Sequence, residues 1–363
     1  MSGELVFSIY GKGASLPILL LNDPILGAVS RKLLFEARKG VQLGKNSRIV
    51  LTEEALKRIL ALYASIGVLK REDSAFLAVV PILDKEEKKP FIELASAYSK
   101  DLSSYVMRHM VEIKRKFEHT SLPSRGYSWD EVSFTVIAGM ILDQFLFAGL
   151  HETGILPYPP ARPDGGQWYI WALEGGSGSP VEYWIRTTEY PEGGYASIWI
   201  RGVAREYVPM DASKLRLLLA IAEKPRTIEE LAYELRIPLE YVDNIIRMWH
   251  ESGFVHLERG KVIPKALVLL DNDVNILMRA ARRMGRELAD SIIRRRVSDL
   301  LKLKYQLGYL HLEDGSYLAM MIQIMRNYAV SELISEGILP SVPKSVDASW
   351  GFWAWSGTER RGV

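Results

Sequence analysis

The chain has no cysteine in 363 residues, which removes disulfides, thiolate metal sites and cysteine nucleophiles together. Asn and Gln are sparse beside many Glu, Lys, Arg and Ile, a bias that suits a protein living hot, where ion-pair networks gain relative value. An excess of one charge is also lacking. Lys and Arg number 46 against 44 Asp and Glu, a formal net charge of +2, so any basic surface has to be local. No basic region precedes an apolar run at the N-terminus, and the apolar stretch from Leu16 to Leu21 breaks at Asn22-Asp-Pro24. Neither a signal peptide nor a membrane span is therefore expected, and the reading is a soluble, cytoplasmic, thermophilic protein. With 48% hydrophobic and 25% charged residues, the chain can bury the cores of two or three globular domains.

Signals for catalysis are incomplete. The run Gly40-Val-Gln-Leu-Gly-Lys-Asn-Ser47 has one residue too few between its glycines for a phosphate-binding loop, and Asn46 stands where Ser or Thr should hold magnesium. Asp271-Asn-Asp-Val-Asn275 begins like a calcium loop, but Ile276 replaces the needed Gly and Arg282 stands where the bidentate Glu belongs. It reads better as a helix N-terminus whose acids complement the dipole. The six His residues contain no i,i+4 pair. No enzyme activity, metal or cofactor is expected.

What is present is the same unit twice. Thr52 to Val68 lies over Pro238 to Phe254 without a gap, matching Leu56 to Val242, Ile59 to Ile245, Leu60 to Ile246, Tyr63 to Trp249 and Gly67 to Gly253. Further on, Gly154-Ile-Leu-Pro157 answers Gly337-Ile-Leu-Pro340, and Trp168 and Trp171 answer Trp350 and Trp353. Even Leu5-Val-Phe-Ser-Ile-Tyr-Gly11 resembles Ala196-Ser-Ile-Trp-Ile-Arg-Gly202. A common order and spacing of this length point to a duplicated domain, not a solenoid.

In the second copy a helix over Asp211 to Glu223 ends at Lys224-Pro225-Arg226, and Thr227 with Glu230 forms a capping box for a second helix. Pro238 opens a third helix with Val242, Ile245, Ile246 and Trp249 on one face, and Gly253 stops it. Two short strands around Arg259-Gly260 follow. Thr227-Ile-Glu-Glu-Leu-Ala232, the turn at Ile237-Pro238 and Glu251-Ser-Gly-Phe-Val255 make this stretch resemble the winged helix-turn-helix module of ArsR-type and MarR-type regulators. In the first copy Gly40 to Ile49 departs from the pattern where the second helix should lie.

Each copy continues into two long helices, near Glu86 to Glu118 and Ser128 to Thr153, then near Asn272 to Leu307 and Ser316 to Glu336, and ends in a Trp-rich strand. Between the copies, Val181 to Thr188 and Tyr195 to Arg201 read as a β-hairpin around Pro191-Glu-Gly-Gly194. The expected fold is α+β and mostly α. Its first repeat spans residues 1–175, a hairpin connector 176–210, the second repeat 211–357 and a tail 358–363. In the regulators it resembles, paired long helices form the dimerisation surface, so the resemblance implies a pseudo-dimer within one chain.

A DNA-reading third helix needs polar side chains for base edges, with the wing holding phosphates. The first copy offers Lys57 and Arg58, with Lys70 and Arg71 in its wing; the second offers Asn244 and Arg247, with Arg259 and Lys261 in its wing. Glu240, Asp243 and Glu251 face outward in the second copy and oppose phosphates, so the first copy is the better reader. Arg279, Arg282, Arg283 and Arg286 fall at helical spacing after the second wing and could grip phosphates, or could form i,i+4 pairs (Arg283 with Glu287, Arg286 with Asp290, Arg295 with Asp299) on a solvated face. Trp168, Tyr169, Trp171, Trp350, Phe352, Trp353 and Trp355 fit a core more readily than an aromatic ligand pocket. The expected function is a transcriptional regulator that binds double-stranded DNA. The alternative is a tandem winged-helix protein–protein assembly factor without DNA binding; a protein partner or a homodimer is the further partner the reading allows. The sequence names no effector.

Overall fold

The computed structural model describes residues 4–13, 21, 26–42, 52–163 and 165–357. The stretch expected to hold the first copy's second helix, most of the glycine-containing run to Ser47 and the tail from Thr358 lie outside the described residues. The fold is α+β, about 52% helix and 20% strand.

From the N-terminus come β1 (Leu5–Lys12), α1 (Leu26–Ala37), β2 (Val41–Gln42), α2 (Glu53–Ser65), β3 (Leu69–Glu72), β4 (Ala75–Ala78) and β5 (Ile82–Leu83). Two long helices, α3 (Lys89–Glu118) and α4 (Trp129–Glu152), precede β6 (Gln167–Glu174). Next are β7 (Tyr183–Tyr190), β8 (Gly193–Ile200), β9 (Ala204–Arg205), α5 (Ala212–Glu223), α6 (Ile228–Leu235) and α7 (Leu239–Glu251). The chain closes with β10 (Val255–Glu258), β11 (Lys261–Pro264), β12 (Leu267–Leu269), the helical residues 271–306 (α8), α9 (Asp314–Ser335), β13 (Ser345–Val346) and β14 (Phe352–Ser356).

These elements form two compact units, one of residues 1–100, 153–180 and 290–328, the other of 101–152, 181–289 and 329–363. Residues 175 and 210, where the repeats were divided by sequence, fall inside these stretches.

In the first unit, Thr52 caps α2 by accepting from the Ala55 amide at 3.3 Å, and Leu56, Leu60 and Tyr63 are buried at helical spacing. Gly67, at φ 74°, turns the chain into β3. The strands β2, β4 and β3 pair antiparallel in that spatial order. A second sheet runs β1-β6-β5, with β6 antiparallel to β1 and parallel to β5. Leu33, Leu34, Leu60, Tyr63, Trp168 and Ile170 fill the core between them.

In the second unit, Thr227 and Glu230 complete the capping box of α6. Arg236 ends that helix in the left-handed region at φ 55°, and Val242, Ile245, Ile246 and Trp249 of α7 are buried as the spacing predicts. The hairpin β10-β11 follows, and an isolated bridge joins Arg226 to Val262. The sheet here runs β12-β14-β8-β7, with β14 parallel to β12 and antiparallel to β8. The hairpin β7-β8 is tighter than the sequence suggested, because Tyr190 pairs with Gly193 and leaves only Pro191-Glu192 as the loop.

The ladders also correct one sequence match. Ser8 pairs with Trp171 and Ala196 with Trp353. With Trp171 answering Trp353, Ser8 answers Ala196 at an offset of 188 residues (196 − 8), three fewer than the match of Leu5 to Ala196 implied. Strand pairing, not residue similarity, fixes that register.

Helix α4 is the one described helix long and apolar enough to cross a membrane, and 89% of its most apolar window is buried inside the protein. Its hydrophobicity has a protein explanation. A Cβ on Gly139 would lie 3.1 Å from Ile198 and from Trp353, and the Tyr183 hydroxyl donates to the Ala138 carbonyl at 3.0 Å. Burial there pushes the Tyr183 hydroxyl far up.

Candidate nucleic-acid interface

The outward face of α2 carries Lys57 and Arg58, both exposed. Arg58 donates to Glu54 at 3.1 Å one turn back, whereas Lys57 has no ion pair among the described residues. In the hairpin that follows, Lys70 pairs with Glu72 at 3.1 Å and Arg71 reaches the Asp73 carbonyl at 3.4 Å. Three of the four basic side chains expected in the first copy are thus engaged locally. All of these contacts are exposed and weak enough to exchange for a ligand.

On α7, Arg247 pairs with Asp243 at 2.8 Å, so its charge is largely cancelled on that face. Asn244 is exposed beside it. Arg259 takes the left-handed conformation at the hairpin tip, φ 51°, followed by Gly260 at φ 76°, and both Arg259 and Lys261 are exposed. The acids Glu240 and Glu251 are exposed as expected. Sequence reading overlooked the apolar side chains around them. Tyr233 is 87% exposed, and Leu239, Tyr241 and Leu257 are also solvent-facing. Amphipathic patterning detects a buried stripe but does not mark large side chains left outside it.

The four arginines after the second wing come together. Arg279, Arg282, Arg283 and Arg286 line one open groove of about 760 Å³, with Glu152, Asp271 and Asn275 among its other walls. Their helix is held rigidly from behind. Ala281, Met284, Gly285 and Leu288 are buried, and a Cβ on Gly285 would lie 2.4 Å from the Phe145 carbonyl carbon. Reciprocally, a Cβ on Gly149 would lie 2.7 Å from the Arg286 Cα. Two glycines therefore allow backbone-to-backbone approach of α4 and α8 in this unit.

Within the groove the arginines differ. Arg282 pairs with Glu152 at 2.6 Å. Arg283 is shared by Glu112 and Glu287, the latter at 2.7 Å. Burial pushes the Glu287 carboxyl up, but hydrogen bonds from Tyr105 at 2.5 Å and from Arg283 outweigh it and hold it below the usual carboxylate range. Arg279 and Arg286 are exposed and have no ion pair among the described residues. Asp290 pairs with Arg294 at 2.8 Å in place of the expected Arg286, and Asp299 accepts from Tyr98 at 2.9 Å, with no Arg295–Asp299 ion pair among the described residues. Asn244 and Arg247 are not among the groove's lining residues.

The calcium-like run begins α8, and Asp273 in it is fully buried. Its carboxylate accepts from the Ser121 amide at 2.6 Å, the Ser121 hydroxyl at 2.8 Å and the Leu270 amide at 3.1 Å. Asp273 is a structural clamp with its oxygens taken, which spacing alone did not reveal. Trp168, Tyr169, Trp171, Phe352, Trp353 and Trp355 are buried in the two sheets, while Trp350 is half-buried and tilted against Phe134 at 5.0 Å. They are core residues, not a ligand pocket. No family model matches this chain, and neither a curated protein nor a solved structure matches it.

Proposed function

We propose that the chain is an internal duplication of a winged helix-turn-helix module and binds double-stranded DNA, with transcriptional regulation the role its resemblance to ArsR-type and MarR-type regulators implies. The duplication is supported by equal element bounds. Helix α1 and α5 are each 12 residues, α2 and α7 each 13, and both pairs are offset by 186 (212 − 26 and 239 − 53). The hairpins share this offset (255 − 69), as do the left-handed residues Asp73 and Arg259 at their tips (259 − 73). The Val41–Phe76 pairing of the first module is answered by the Arg226–Val262 bridge of the second.

The observation that carries the DNA reading is a helix in each module, α2 and α7, with a buried apolar stripe, polar side chains on its outward face and a two-stranded hairpin directly after it. Lys57 and Arg58 on α2, with only Glu53 and Glu54 as acids on that helix, are the stronger base and phosphate readers; Asn244 is the base reader of α7. Arg279 and Arg286, which have no ion pair among the described residues, add charge in a groove that also holds Glu152 and Asp271. The double variant Lys57→Glu with Arg58→Glu tests this. It should lose duplex affinity while keeping its circular dichroism and melting temperature. Unchanged affinity in the folded variant would remove the assignment.

A second reading is favoured by the outward side chains of α6 and α7. Exposed Tyr233 on α6, and exposed Leu239 and Tyr241 on α7 together with the acids Glu240 and Glu251 of that helix, suit a protein partner better than a phosphate backbone. This assembly-factor reading predicts no salt-sensitive DNA affinity and a partner lost on Tyr233→Ala with Tyr241→Ala.

A further inference from the structure

The hairpin β7-β8 carries an aromatic surface that the duplicated modules do not use. The first unit's sheet has three described strands, β1-β6-β5, whereas the second has β7 added at its edge beyond β8. One face of this hairpin, with Tyr183, Ile185 and Ile198, is turned inward, since Tyr183 packs edge-on against Phe134 at 6.4 Å. The other face presents Trp184, Arg186, Thr188 and Tyr190 from β7, opposite Trp199, Ser197, Tyr195 and Gly193 from β8. Its Tyr190 and Tyr195 end is covered, because both side chains pack against the core around Phe254 and Phe352. Its other end exposes Trp184, with Trp199 half-buried across from it.

At that end the two indoles lie directly across the ladder from one another, and Trp184 is 44% exposed. Tyr207, 59% exposed, sits with its ring 6.3 Å from Trp199. Arg205 lies over the Trp199 ring at 5.5 Å. Its guanidinium donates to the Ile198 carbonyl and, at 3.2 Å, to the Ala348 carbonyl. Carbonyls hold this cation without neutralising it, and burial lowers its pKa to about 10 despite the opposing field of Asp347. Arg186 is exposed in the same cleft and has no ion pair among the described residues.

The cleft encloses only about 30 Å³, far below the roughly 300–1,000 Å³ of a small-molecule pocket. It offers ring faces, two arginines and one carboxylate, Glu206, on an open sheet, not enclosure. Flat π-faces flanked by arginines match ligands that alternate planar rings with negative charge, which is the chemistry of an unpaired nucleic-acid strand. We infer that the Trp184–Trp199–Tyr207 surface binds single-stranded nucleic acid, with bases stacked on the three rings and the backbone held by Arg186 and Arg205. This site is separate from the third helices and from the arginine groove, so it stands or falls independently of duplex binding.

The test is fluorescence anisotropy of a labelled oligothymidylate of about a dozen nucleotides with the full chain at low salt, repeated with Trp184→Ala, Tyr207→Ala and Arg186→Ala. Wild-type binding is expected, weakened about ten-fold by either aromatic substitution and more modestly by Arg186→Ala. Trp184→Phe restores most of the affinity, which separates stacking from loss of fold. The inference is overturned if the wild-type chain does not bind the oligonucleotide, or if both aromatic variants bind it as tightly as the parent. It is also overturned if Arg279→Ala with Arg286→Ala abolishes the binding while the aromatic variants retain it. Self-association that buries Trp184, seen in sedimentation together with no oligonucleotide binding, would assign the β7 edge to a second copy instead.

Discussion

The groove arginines differ in what they can give to a phosphate, and that difference sets a measurable quantity. Arg279 and Arg286 have no ion pair among the described residues, whereas Arg282 is taken by Glu152 and Arg283 by Glu112 and Glu287. An arginine already neutralised carries little condensed-counterion exchange with DNA, because it must give up one anion to meet another. Arg279 and Arg286 lie seven residues apart, about 10 Å along the helix, so they meet separate phosphates. Each phosphate contact steepens the dependence of log K on log salt by about 0.9. Arg279→Ala with Arg286→Ala should therefore flatten the slope by about 1.8, and the fourfold salt step from about 50 to 200 mM should cost this variant about twelve-fold less affinity than it costs the wild type. Arg282→Ala with Arg283→Ala should change the slope little and instead lower stability, since Glu152, Glu112 and Glu287 each lose an arginine partner. Anisotropy titrations on one duplex at four or five salt concentrations measure both. An unchanged slope in the first variant, or an equal flattening in the second, would refute the division into free and engaged arginines.

Two further predictions concern the frame behind the groove. Gly285→Ala forces a Cβ to within 2.4 Å of the Phe145 carbonyl carbon, and the overpacking should destabilise the protein by at least about 1–3 kcal/mol in denaturant unfolding; a neutral effect would show that α4 and α8 are not in backbone contact. Glu287 has a depressed carboxyl pKa in the folded chain, so its stabilisation is fully present above the unfolded value of about 4.3 and is lost as pH falls through the lower folded value. The stability difference between wild type and Glu287→Gln should accordingly shrink only in that acid window, and a difference that is flat from neutral pH to about pH 2 would contradict the Tyr105–Glu287–Arg283 network.

The helices were legible because their signals are local. Thr227 and Glu230 mark a start, Gly253 a stop, and Val242, Ile245, Ile246 and Trp249 a buried face, and each behaves as its position dictates. The offset of α2 to α7 was visible for the same reason. What sequence did not reveal depends on distant residues. Strand β1 pairs with β6 more than 150 residues away (167 − 12), so its alignment with β8 could not be fixed from Leu5 to Gly11 alone. The arginine stripe read equally as a phosphate grip or a solvated ladder until Glu152 and Glu112, on other helices, took Arg282 and Arg283 and left Arg279 and Arg286. The sequence places Trp184 and Trp199 on a hairpin but not on its open face, because exposure is decided by what covers a sheet face and not by the residues on it.

The most direct test of DNA binding is anisotropy of the full chain on random-sequence duplex DNA across a range of salt. The account predicts binding at low salt that weakens steeply as salt rises, the signature of phosphate contacts. Absence of binding even at the lowest salt would contradict it and leave the exposed Tyr233, Leu239 and Tyr241 face of the second module as the surface to pursue with a protein partner.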